Sequence, residues 1–169
     1  QLYNMQSLFN MTEYLFAHGA NETAHTGRTL YDHLIGTYLI LRSWGDDYVE
    51  DHVAVAGMFH SIYGTTYFKH QTTDNRNEIR DLIGSKAEKL VWAFCLLGQP
   101  RKDHMLNTAR THWVAIDELY MIDCANTLDV GKQAYDMTGV EHFFSPKAIE
   151  QNDELIKLIE DAEQETFSN

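Results

Sequence analysis

The chain has 169 residues, 44% hydrophobic, with 25 acidic against 13 basic side chains and a formal net charge of −12. That length suits one domain with a core of its own, and the composition excludes wholesale disorder. The charge argues against binding nucleic acid or a membrane surface through a general basic face.

Helical periodicity runs along the chain. Residues 2–16 place Leu8, Met11, Leu15 and Phe16 on an i, i+3, i+4 stripe that ends at Gly19. Residues 29–44 put Leu30, Leu34, Tyr38 and Leu41 on one face before Gly45, and residues 47–62 do the same with Val49, Val53, Ala56 and His60. Gly64-Thr65-Thr66 breaks that third helix, and the polar stretch 69–77 reads as a loop. Helices are expected over 78–83 and 85–97, the second opened by a Ser85-Lys86-Ala87-Glu88 capping box and stopped by Gly98-Gln99-Pro100. One long helix is expected over 108–128, carrying Trp113, Ile116, Leu119, Tyr120 and Asp123. Pro146 at a helix start, with Leu155, Leu158 and Ile159, points to terminal helices after about residue 140, and Glu160 to Glu165 to a solvated face. Proline is scarce and no stretch alternates with a period of two, so the expectation is an all-α, single-domain bundle without a sheet.

Cys95 and Cys124 lack metal or redox spacing and read as buried side chains in a reducing compartment. No signal-peptide pattern is visible and the longest apolar run, 90–97, is too short to span a bilayer, so the expected location is cytoplasmic. The sequons at Asn10 and Asn21 carry weight only in a secretory setting.

The chemistry-bearing set is His33, His60 with Ser61, and Asp123, on three expected helices. Side chains projecting inward from different helices of a bundle can meet, and two imidazoles with a carboxylate suit one divalent cation. With nine histidines in the chain, such spacing also arises without a site. His60, however, ends an apolar helix, where an unpaired imidazole is costly.

The stretches 28–36, 54–64 and 120–126 carry these residues in order, with Ile83 to Val91 between the last two. That order resembles the HD-domain superfamily, whose signature is H…HD…D, and within it the RelA/SpoT-like guanosine polyphosphate hydrolase branch. The resemblance spans about 27–126 and implies an HD-like bundle with a metal held by His33, His60 and Asp123. The departures bear on activity. Ser61 stands where the family has aspartate, Gly64-Thr65 where that branch has an acidic pair, and Cys124-Ala125 where it has Arg-Leu. Hydrolysis of guanosine tetraphosphate itself is therefore not expected, and without the bridging aspartate neither is a dinuclear centre.

The leading expectation is a diverged hydrolase with one divalent ion (manganese, zinc or iron) acting on a small phosphorylated or polar metabolite. Ser61 and Thr65 would orient water or substrate, and Arg28, Tyr63 and Thr66 would bind it. The competing readings are an HD domain without catalysis that binds a ligand or partner, and a mononuclear non-haem iron oxygenase or lyase. His25, beside Gly27-Arg28, could line the same pocket mouth.

Overall fold

The computed structural model describes residues 3–134. The helices expected after residue 140 and the acidic run Glu160 to Glu165 lie outside the described residues.

The described residues are built from seven helices around one core. Helix α1 (Met5–Ala17) starts at Asn4, whose side chain accepts from the Ser7 amide, and buries Met11 and Leu15. A two-residue hairpin, β1 (Ala24–His25) and β2 (Arg28–Thr29), follows in antiparallel register, with His25 opposite Arg28. The sequence reading expected no sheet. Its alternation signal was too short to register, but Thr26 and Gly27 at φ 44° and 85° form the left-handed corner that closes such a hairpin.

Helix α2 (Leu30–Ser43) is capped by Thr29, whose hydroxyl accepts from the Asp32 amide. Helix α3 (Asp51–Met58) is the centre of the bundle, with every residue from His52 to Met58 buried. It packs against α2, α5 (Ser85–Cys95) and α7 (Ile116–Ala134). Helix α4 (Arg76–Ile83) joins α1 to α5, and α6 (Arg101–His112) joins α5 to α7.

Two boundaries differ from the expectation in ways that matter. The third helix stops at Met58, so His60 and Ser61 sit in a tight turn rather than on a helix. The Phe59 and His60 amides bond back to Ala56 and Gly57, a contracted last turn that Gly64 at φ 81° then redirects. The long helix expected over 108–128 is two helices. Trp113 adopts a left-handed conformation, φ 56° and ψ 45°, and turns the chain between α6 and α7.

The expected capping box at Ser85 does not form; the cap position is Gly84, without a side-chain bond. Glu88 is used elsewhere. It is buried and accepts from Arg76 Nε at 2.7 Å, Arg76 Nη2 at 3.1 Å and Tyr63 Oη at 2.9 Å. Arg76 also lies over the Trp92 ring at 4.1 Å. This satisfied carboxylate ties the turn after α3 to α4 and α5.

Glycines set the helix spacing around α2. A Cβ at Gly36 would overlap the Asp129 carboxylate on α7, and one at Gly57 would overlap the end of Leu41 on α2. Gly36→Ala is therefore expected to destabilise the fold by about 1–3 kcal/mol, as overpacking against a fixed group does. Gly57→Ala is expected to cost less, because the Leu41 side chain can rotate away. Urea denaturation of the two variants measures the difference.

Candidate functional site

Three elements converge beneath the hairpin: the first turns of α2, the turn after α3, and the middle of α7. The His33 ring is fully buried. Its Nδ1–H donates to Asp129 Oδ2 at 2.5 Å, and Asp129 also takes the guanidinium of Arg28. His60 Nδ1–H donates to the Gly57 carbonyl at 2.7 Å. Each ring is thus held from its Nδ1 side, which turns both Nε2 atoms inward. They face each other at 3.2 Å, with Asn126 Oδ1 2.9 Å from His33 Nε2.

Two neutral imidazoles held in this way would present lone pairs to one another. The contact therefore calls for positive charge between the nitrogens, either a proton on His33 Nε2, shared between His60 and Asn126, or a cation. Burial, with His33 beside it, holds His60 well below the usual imidazole range, so His60 is the acceptor.

Asp123 is buried on α7 one turn before Asn126. Its Oδ1 accepts from Arg101 Nη1 at 3.2 Å, while Oδ2 has no protein partner. Burial raises its carboxyl pKa and Arg101 opposes that shift. Arg101 lies between the Tyr67 and Phe94 rings, 4.7 and 4.8 Å from their centres, which fixes its direction. His33, His60 and Asp123 are consequently neighbours without being a compact triad. Among the described residues, the group of three ligand atoms within 4.8 Å of one another is Glu50, His52 and Glu118.

A cavity of about 750 Å³ opens on this cluster. His60, Ser61, Asp123 and Asn126 form its polar wall, with Arg101 and Lys102 supplying positive charge. Ser61 Oγ is buried there and has no hydrogen-bond partner. Thr65 lines the cavity too, though its hydroxyl accepts from the Phe68 amide and so shapes the turn. His25 stacks on His33 at 4.0 Å and meets Phe68 edge-on, closing the hairpin over the buried ring. Burial, then the neighbouring His33, pushes the His25 imidazole down to about 4.

The substrate-binding expectations fare differently from the metal set. Arg28 turns its guanidinium to Asp129 and is not on the cavity wall. Tyr63 donates to Glu88 and packs on Trp92, in the α4–α5 network. Thr66 donates to the Leu97 carbonyl. Each of the three thus has a side-chain bond within the fold, and Arg28, Tyr63 and Thr66 are absent from the cavity wall.

The residues that sequence reasoning passed over are Asp129, Asn126 and Arg101. Positions 123, 126 and 130 follow the i, i+3, i+7 spacing of one helix face, and all three line the cavity. That spacing was the available signal for Asn126. Arg101 supplies, from the start of α6, the basic side chain beside Asp123 that Cys124-Ala125 lacks.

Residues 14–99, just over half of the chain, match the model of a domain of unknown function, DUF6817, and the chain belongs to that family. No curated protein and no solved structure matches it. The matched span holds His33, His60 and Ser61 but stops before Arg101, Asp123, Asn126 and Asp129.

Among the described residues no helix is long and apolar enough to cross a membrane. Asp129 holds the Arg28 guanidinium and the His33 Nδ1–H in a buried place, so Asp129→Asn removes charge with little change of shape. The variant is expected to lose about 3 kcal/mol of stability, measured by urea denaturation, as broken buried pairs do.

Proposed function

We propose that this protein is a diverged HD-like hydrolase acting on a small phosphorylated or otherwise polar metabolite. One divalent cation (manganese, zinc or iron) would be seated between His33 and His60. The observation that carries this reading is the 3.2 Å approach of two inward-facing Nε2 atoms. Two nitrogens bound tetrahedrally at ~2.0–2.1 Å from one ion lie about 3.3 Å apart. Asp129 behind His33 is the carboxylate partner that orients ligating imidazoles and raises their basicity.

Donor chemistry fits such an ion in part. Two imidazoles are in place, and Asp123 keeps one buried oxygen without a protein partner, although Arg101 holds the other. A bound ion would supply an activated water near neutral pH. The chain's own groups do the rest. Arg101 and Lys102 offer positive charge to an anionic substrate in a protein that is otherwise strongly acidic. Ser61 Oγ, lacking a partner, can hold a water or a substrate oxygen, while the Asn126 amide positions a polar group beside His33. His25, kept neutral by burial, shields the His33 ring from solvent.

A second reading has its own support. The Arg101–Asp123 pair neutralises the carboxylate that an ion would use, and a proton can satisfy the two Nε2 atoms. On that account the domain binds a small anion in the cavity without catalysis.

Ser61→Asp separates the two. The substitution places a carboxylate directly after His60, where the HD signature has one. Manganese binding measured by calorimetry is expected to tighten about 10-fold or more, within the range that partner groups change metal affinity, and His60→Ala is expected to abolish it. Equal manganese affinity in the wild type and in Ser61→Asp, or equal binding without His60, contradicts the metal reading.

A further inference from the structure

We propose a second divalent-cation site, formed by Glu50, His52 and Glu118 at the opposite end of α3 from His60. Each of the three offers one ligand atom, and these atoms lie within 4.8 Å of one another. His52 lies in the first turn of α3 and His60 beyond its last residue, Met58, so the two places do not share ligands.

The feature that points to an ion is the buried imidazole. His52 is only 7% exposed, yet its Nε2 has no hydrogen-bond partner. Glu118 Oε2 approaches that nitrogen to 2.6 Å but lies off the N–H direction, and Glu50 Oε2 stands 3.2 Å from Nδ1. A carboxylate crowded against the imidazole Nε2 and out of line with its N–H, with a second carboxylate close by, matches groups that converge on a shared cation better than a donor matched with its acceptor.

Charge and placement agree. Glu50 is the N-cap of α3 and Glu118 lies in the first turn of α7, where the helix ends favour ionised carboxylates. Lys86, 3.3 Å from Glu50, is an exposed partner of the kind that contributes little and yields easily. One nitrogen and two carboxylate oxygens, with a position open to water, suit zinc. An ion here would join the starts of α3 and α7, the elements that carry His60 and Asp123 toward the cavity. Its role is structural, and it stands whether or not the His33–His60 centre takes a metal.

The test is a zinc titration of the full chain by calorimetry, with melting temperature read in parallel. In a His60→Gln background, which removes the cavity centre, one equivalent of zinc is expected to bind and to raise the melting temperature by several degrees. Glu118→Gln in that background should abolish both effects, and it keeps the volume of the side chain should His52→Ala prove too disruptive to fold. Zinc that neither binds nor stabilises the His60→Gln protein overturns the proposal, leaving His52 with Glu50 and Glu118 as its only partners among the described residues. Undiminished binding in the Glu118→Gln variant overturns it equally.

Discussion

The close approach of His33 and His60 is the contact around which the described residues are arranged. Two buried imidazole nitrogens 3.2 Å apart cannot both be bare acceptors facing one another. Something positive must sit between them. The surrounding structure fixes the rings so that the problem cannot be avoided: Asp129 and the Gly57 carbonyl hold the outer nitrogens, and Gly36 gives Asp129 room to reach across from α7. The missing Cβ at Gly36 is thus linked directly to the electrostatics of the cavity.

Around this pair the charges form a sequence of opposites. Arg28 neutralises Asp129, which supports His33, while on the far side Arg101 neutralises Asp123. Such buried groups are unfavourable in isolation and tolerable only in combination. Among the residues that line the cavity, Ser61 and Asp123 each keep a buried polar atom without a protein partner, Oγ and Oδ2 respectively. Native proteins satisfy most buried polar atoms, so such exceptions concentrate where something else binds. Ser61 in place of a carboxylate makes the cavity less negative than an HD site would be, which favours an anionic occupant and weakens the hold on a cation.

The helical character was legible from the sequence because the apolar stripes of α1 and α2 repeat with the helical period over several turns. The burial of His60 was legible too, since it ends an otherwise apolar stretch. Element ends were not. The contraction after Met58 follows the place where Gly57 lies against Leu41, a contact between helices that no local pattern reports. Trp113 ends α6 in a left-handed conformation that an aromatic residue rarely adopts, and nothing in its neighbourhood resembles a glycine stop. The hairpin has only two residues in each strand, below the length at which alternation can be seen.

The site's partners were hidden for a related reason. Arg28, Tyr63 and Thr66 looked available because a sequence lists side chains without their partners, and each turned out to be bonded within the fold. Asp129 lies 96 residues from the histidine it supports, a distance at which a single sequence carries no trace of contact. Nitrogen-15 NMR of the His33 and His60 rings during a zinc titration reads directly what lies between the two Nε2 atoms. Both Nε2 resonances are expected to move together to metal-bound positions as zinc is added, with both Nδ1 atoms still protonated. A His33 Nε2 that remains protonated and insensitive to zinc would contradict a cation shared by the two rings.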